Sequence, residues 1–277
     1  MNLARSRDEL DALLGPVRAE GSRIGFVPTM GALHEGHLSL VHAARGSADV
    51  VVISIFVNPL QFGPSEDLAS YPRDEARDLQ LAEQAGADLV FIPSVSEMYP
   101  EGRSTTVSVG RLGTILEGAD RPGHFDGVAT VVAKLFNLVQ PEVAFFGQKD
   151  AQQVAVIKKM VADLSYAVEI GVEPTVREPD GLALSSRNAY LSPDERPKTT
   201  AVYRALQAGA ETLAEEGFEA AEKNMWELLV ADGLEPSYAR VVNPVTFDAP
   251  AAGSEVLLVI AARIGNTRLI DNMLVST

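Results

Sequence analysis

The chain has 277 residues, 46% of them hydrophobic and 22% charged, a profile that fits a soluble globular protein with one large α/β domain or two unequal ones. Its 38 acidic and 23 basic residues give a net charge of −15, which opposes non-specific binding to nucleic acid, and no apolar run approaches the ~18 residues of a membrane span. With no cysteine, it has no disulfide, no thiolate metal site and no cysteine nucleophile.

The opening stretch MNLARSRDELDALLG carries Arg5, Asp8 and Glu9 where a secretory signal needs an unbroken apolar run, so a cytoplasmic protein is expected. RIGFVPT (23–29) then reads as a strand, HLSLVHAARG as a helix and ADVVVISIFVN (48–58) as a buried strand. A polar loop, PLQFGPSEDLASYPRD, leads into the helical pattern EARDLQLAEQAG. Strand ADLVFIP, helix VATVVAKLFNLV, strand EVAFFG, helix AQQVAVIKKMVADL and strand YAVEIGVEPTV continue the rhythm. Near-continuous apolar strands alternating with helices predict a Rossmann-like α/β domain over 1–176, a doubly wound parallel sheet covered on both faces. After about Ser192 the rhythm changes. Two helical stretches, PDERPKTTAVYRALQAGAETLAEEG and FEAAEKNMWELLVADG, precede strands SYARVVNP, EVLLVIAARIG and TRLIDNM. That order predicts a smaller α+β domain with an antiparallel sheet over 177–277.

Ligands of a doubly wound sheet bind at the carboxyl ends of its strands, and the polar clusters fall there. HEGH (34–37) follows the first apolar strand, NPLQFG (58–63) the second, GQKD (147–150) the strand EVAFF, and LALSSRN (182–188) the segment PTV. HEGH lacks the spacing of the metalloprotease H-E-x-x-H, and two histidines are too few for a zinc site, so no protein metal site is expected. A helix amino terminus after a glycine turn offers free N–H groups to an anion, and His34 and His37, one turn apart, can add imidazole N–H donors. The plainer alternative is a pair of partly exposed loop histidines.

Lys149 suits a phosphate, as would an ordinary surface lysine suit the same position. Ser185, Ser186 and Arg187 follow a turn at Asp180-Gly181, in a loop whose composition is by itself unremarkable for a surface. Asn58, Gln61 and Gln153 are neutral amides suited to orienting hydroxyls and a carboxylate. Arg121 and His124 stand just ahead of a helix that Asp126 is placed to cap. Concentrating His34, His37, Arg121, His124, Lys149 and Arg187 in so acidic a chain points to an anionic, phosphate-bearing ligand. Neither GxxxxGK[ST] nor a post-strand GxGxxG occurs, so an ATP site here would be of another design.

The blocks PTMGALHEGHLSLV, SIFVNPLQFGPSEDLASYPRD, RPGHFDGVATVVAKLFNLVQPEVAFFGQKDAQQ, DGLALSSRNAYLS and TRLIDN together resemble the pantoate–β-alanine ligase (pantothenate synthetase) family of the HxGH nucleotidylyl-transferase superfamily. They run from about Gly25 to Asn272; Leu184 stands where the family often has methionine, an apolar swap of similar volume. The resemblance implies ATP-dependent ligation of pantoate and β-alanine through pantoyl adenylate, with release of AMP and pyrophosphate. It implies Mg2+ held mainly by the ATP phosphates, a homodimer, and no nucleic-acid or membrane partner.

Carried over residue by residue, the resemblance implies that Met30, Gly31, Ala32, Leu33, His34, Glu35, Gly36 and His37 form the first ATP loop. It implies that Gly147, Gln148, Lys149, Asp150 and Val176 also touch the nucleotide, and that Leu184, Ser185, Ser186 and Arg187 form the second ATP loop. His34, His37 and Lys149 would be catalytic, with His37 often described as the proton donor in the family. Gln61 and Gln153 would hold pantoate, with Asn58, Met30, Arg121 and His124 as further substrate contacts. The smaller domain would act as a mobile cover that excludes water from the acyl adenylate.

Overall fold

The computed structural model describes residues 1–64 and 66–276. The chain divides into two compact units, the first made of Met1–Gly147 and Val156–Glu173, the second of Gln148–Ala155 and Pro174–Thr277.

In chain order the first part comprises β1 (Asn2–Ala4), α1 (Arg7–Ala19), β2 (Ile24–Thr29), α2 (Glu35–Ser47), β3 (Val50–Ile55), α3 (Glu75–Gln84), β4 (Leu89–Phe91) and α4 (Val95–Met98). There follow α5 (Glu117–Asp120), α6 (His124–Val139), β5 (Val143–Gly147), α7 (Ala151–Asp163) and β6 (Glu169–Glu173). The strands form one six-stranded sheet in the order β1-β4-β3-β2-β5-β6, and every pairing is parallel. From β2 the order runs out through β3 and β4 on one side and through β5 and β6 on the other, which is the doubly wound arrangement expected. The β-branched run of β3 supplies residues such as Val51 and Ile53 to a core closed by Leu38, Val41 and Ala44 of α2.

Three details differ from the sequence expectation. β1 precedes the strand before HEGH, which is therefore the second of the sheet; at three residues on an edge, β1 gives no periodic signal. α1 fills a stretch whose pattern predicts no element, opening on a capping box in which Ser6 Oγ accepts from Glu9 N–H and the Glu9 carboxylate accepts from Ser6 N–H. Asp126 does not cap α6. The helix starts three residues earlier than such a cap would place it because Gly123, at φ 81°, takes a left-handed turn straight into it, which leaves Asp126 inside the first turn.

The second unit contains α8 (Thr200–Glu216), α9 (Phe218–Ala231), β7 (Glu235–Val242), β8 (Val256–Ile264) and β9 (Thr267–Val275). The three strands form an antiparallel meander in the order β7-β8-β9. Leu206 and Leu213 of α8 and Met225 and Leu229 of α9 share a core with Leu258 and Ile260 of β8. This is the α+β arrangement the sequence predicts.

Candidate active site

β2 and β3 are paired in register to their last residues, Thr29 with Ile55, so the HEGH and NPLQ turns leave from neighbouring strand ends. Thr29 fastens them: its hydroxyl donates to the Ser54 carbonyl at 2.8 Å, its carbonyl accepts from Phe56 N–H at 3.0 Å, and its hydroxyl oxygen accepts from Gly31 N–H at 3.2 Å.

Beyond Thr29 the backbone takes positive φ at Gly31 (82°) and at Ala32 (50°), an unfavourable conformation for the second residue. A buried carboxylate holds it there. Asp78 of α3 accepts Ala32 N–H at 2.9 Å and Leu33 N–H at 2.8 Å. Burial pushes the Asp78 carboxyl above its ordinary range, against the pull of those two N–H groups.

His34 is the N-cap of α2, and its Nδ1 accepts Gly36 N–H at 3.1 Å. Its carbonyl accepts the N–H of His37 and of Leu38, while His37 Nδ1 accepts His34 N–H at 3.3 Å. The free helix-end N–H groups expected from sequence are thus largely occupied by His34 itself. With Nδ1 of both rings accepting, the neutral imidazoles carry their protons on Nε2, and the rings lie 4.1 Å apart between centroids. The glycine between them has a steric cause, since a Cβ at Gly36 would lie 2.9 Å from His34 Cε1.

At the end of β3, Asn58 uses both ends of its amide inside the protein. It donates to Gln61 Oε1 at 2.8 Å and to the Gly127 carbonyl at 3.0 Å, and it accepts from Leu60 N–H at 3.2 Å and Tyr99 O–H at 2.8 Å. Burial pushes the Tyr99 hydroxyl above its ordinary value, which keeps it a donor. The network orients Gln61: with Oε1 accepting from Asn58, Nε2 is its donor end. α6 packs against this turn at Gly127, where a Cβ would lie 2.2 Å from the Leu60 carbonyl oxygen.

Arg121 and His124 sit behind the same turn. Arg121 places Nε and Nη2 on the Glu66 carboxylate at 2.9 and 2.6 Å, lies 3.6 Å from Glu117, and also donates to the Gln61 carbonyl at 3.2 Å. His124 Nδ1 is 2.9 Å from that carbonyl and Nε2 is 3.1 Å from Arg121 Nη1, so Nδ1 donates and Nε2 accepts. Burial first, then the Arg121 charge, lowers the His124 pKa to about 4. The unfolded chain binds a proton there near 6.5 and the folded one only near 4, so folding stability is expected to drop as the pH falls through that window. The loss is at most roughly 3 kcal/mol. Urea unfolding at pH 7 and pH 4.5 should show a smaller difference for His124→Gln than for the parent; equal differences would mean that His124 is not the group responsible.

In the second unit, Lys149 and Asp150 lie in the 3-10 turn Gln148–Asp150, with Nζ 3.6 Å from the Asp150 carboxylate. Gln153 is one turn further along the chain, half-buried in α7. Asn272 Nδ2 donates to the carbonyls of Gln148 and Lys149, both at 2.9 Å, and its Oδ1 accepts from Gln148 Nε2 at 3.0 Å. Residues 176–184 fold back on themselves, with Leu184 N–H on the Val176 carbonyl at 3.0 Å and a bridge between Arg177 and Ala183. Ser185 then caps the short helix Ser186–Tyr190 by accepting Arg187 N–H at 3.2 Å. Arg177 forms a two-point pair with Asp271 at 2.5 and 2.9 Å and stacks over Tyr203, 4.2 Å from the ring centroid.

The sequence pattern does not single out Asp78, Tyr99, Glu66, Glu117 or Arg177, and it gives TRLIDN no role of its own. Asp78, Tyr99, Glu66 and Arg177 act on residues distant in sequence, so spacing gives no signal for them. Glu117 stands four positions before Arg121, a helical pair that spacing does offer, and a carboxylate at a helix position that should face a core, like Asp78, is a further clue. Among the described residues no group of three or more His, Asp or Glu side chains is placed to hold a metal ion, and no helix is long and apolar enough to cross a membrane.

The family model described as pantoate-β-alanine ligase matches residues 2–274. A pantothenate synthetase of Nocardioides sp. is 52% identical over 98% of this chain and 84% of its own length. One from Chloroflexus aggregans is 55% identical over 93% and 95%. Among solved structures, pantothenate synthetase from Thermus thermophilus superposes with a TM-score of 0.92 at 50% identity, covering 99% of both chains. A pantoate-β-alanine ligase from Francisella tularensis, complexed with β-γ ATP and β-alanine, gives 0.85 at 34% identity, covering 99% of this chain and 97% of its own.

Proposed function

Because this chain belongs to the pantoate–β-alanine ligase family and catalyses the ATP-dependent joining of those two molecules, we propose that it does so through a pantoyl adenylate. In the first step a pantoate carboxylate oxygen forms a bond to the α-phosphorus of ATP, and the bond from that phosphorus to the bridging oxygen breaks, releasing pyrophosphate. In the second the neutral amine of β-alanine attacks the acyl carbon. The acyl carbon–oxygen bond then breaks, AMP leaves, and the amine nitrogen loses a proton.

The observation that carries this reading is the pair of imidazoles in the HEGH turn. Nδ1 of each ring is held by a backbone N–H, so each offers a fixed Nε2–H to an oxygen that gains charge as pyrophosphate departs. By the family resemblance, Lys149 supplies a cation and Ser185, Ser186 and Arg187 supply donors to phosphate, and Met30–Leu33, Gly147–Asp150 and Val176 are nucleotide contacts. Gln61 and Gln153 orient pantoate by its hydroxyls and carboxylate. Asn58, Arg121 and His124 support Gln61 through the bonds described above. Magnesium would enter with ATP and neutralise phosphate charge, without a cage of side chains from this chain. The family resemblance supports a cytoplasmic homodimer.

Adenylation needs ATP, magnesium and pantoate but not β-alanine. Labelled pyrophosphate is therefore expected to enter ATP when pantoate is present and β-alanine absent. Absence of exchange, with ADP as the nucleotide product, would overturn the adenylate route in favour of an acyl phosphate.

A further inference from the structure

The segment TRLIDN (267–272) contributes nothing to the chemistry above, yet Asp271 and Asn272 are only 4% and 5% exposed. Adjacent residues of a strand point to opposite faces of the sheet. Leu269 belongs to the core and Met273 packs against it, which places Asp271 on the core face of β9 and Asn272 on the other.

We propose that Asn272 is a positioning residue for the nucleotide: its carboxamide fixes the backbone of Gln148 and Lys149, while Asp271, through Arg177, fixes the fold-back that presents Leu184–Arg187. The inference deepens the reading above and rests on Lys149 meeting the ATP phosphates. Two consecutive residues thereby hold two nucleotide loops in one frame. On one side, a single side chain makes three bonds to the Lys149 turn, two of them to main-chain carbonyls, so the turn cannot shift without breaking them. On the other, the Arg177 guanidinium spans both Asp271 oxygens and also donates to the Gly181 carbonyl at 3.0 Å, inside the fold-back itself. Asn272 N–H donates to Asp271 Oδ1 at 2.8 Å and joins the two grips. A lysine makes a compact point contact on a flexible stem, so where its backbone sits decides whether the ammonium reaches phosphate.

Asn272→Leu keeps the branched shape with bulkier methyl ends, and removes both donors and the acceptor. Calorimetric binding of Mg·ATP by the full chain is expected to weaken by about 10-fold or more, a displacement of the contact being able to cost up to ~10²-fold in rate. The same change made on Lys149→Ala is expected to weaken binding less than about threefold, because residues acting as a unit are not additive. Should the leucine variant fail to fold, Asn272→Ser keeps one shorter donor and is expected to show the same non-additivity at reduced size. Equal losses in both backgrounds, or none in the parent, would overturn the positioning role. Full ATP affinity in Lys149→Ala alone would instead overturn the reading of Lys149, and the proposal with it.

Discussion

Alanine at both His34 and His37 is expected to lower pantoate-dependent pyrophosphate exchange by roughly 10²–10⁴-fold, the range seen when positioned donors or proton carriers are lost. Pantoate affinity should change little, since the amide cluster at Gln61 is a separate set of bonds. On the proposed reading His34 has two functions, because the ring whose Nε2–H would meet phosphate also caps α2 through Nδ1. Alanine there removes both, at a cost in folding of about 1 kcal/mol for the cap. Asparagine is a strong N-cap with no donor at the Nε2 position, so His34→Asn should retain most of the melting temperature and still lose exchange. If His34→Asn exchanges pyrophosphate at the parent rate, the imidazole is a cap and nothing more.

Gly127→Ala, a change of one methyl group on a helix, is expected to reduce kcat/KM for pantoate by about 10²-fold. The added carbon would lie 2.2 Å from the Leu60 carbonyl oxygen and 2.9 Å from the Gln61 nitrogen, both backbone atoms that no rotamer change can move aside. The 59–61 turn would have to withdraw from α6, stretching the 3.0 Å bond from Asn58 to the Gly127 carbonyl and releasing the amide pair that orients Gln61. Overpacking of this kind also costs roughly 1–3 kcal/mol of stability, so the melting point should fall with it. Steady-state kinetics with pantoate varied at saturating ATP makes the comparison. A variant with parent pantoate kinetics would show that the turn has no part in holding that substrate.

All the strands but β1 were legible because their apolar runs are flanked by turn residues and alternate regularly with helices. β3 reads VVVISI and β8 VLLVIAARI, short runs rich in β-branched residues, which favour a buried strand over a buried helix. The three residues of β1 are too few to show a period, and the capping box of α1, visible as Ser6 and Glu9, lies in a stretch without an apolar stripe long enough to compel a helix. In the site, residue type was legible and employment was not. The charges of Arg121 and His124 suggested an anion, but nothing local in the sequence says that Glu66, 55 positions before Arg121, accepts two of its hydrogen bonds. Two of the four hydrogen bonds of Asn58 likewise reach residues far along the chain, Gly127 and Tyr99, which no local pattern announces.

The grip of Asn272 on the Lys149 carbonyl has a consequence in time. The two residues are 123 positions apart, and at ~5–20 residues per second the ribosome takes roughly 6–25 s to travel from one to the other. Throughout that interval the GQKD residues exist without the carboxamide that takes two of their carbonyls in the folded chain. A nascent chain can complete β2 through β6, all of which precede position 174, before the asparagine that braces the lysine exists. On the proposed role of Lys149, competence for ATP is acquired late in synthesis, after the sheet and with the last strand of the meander.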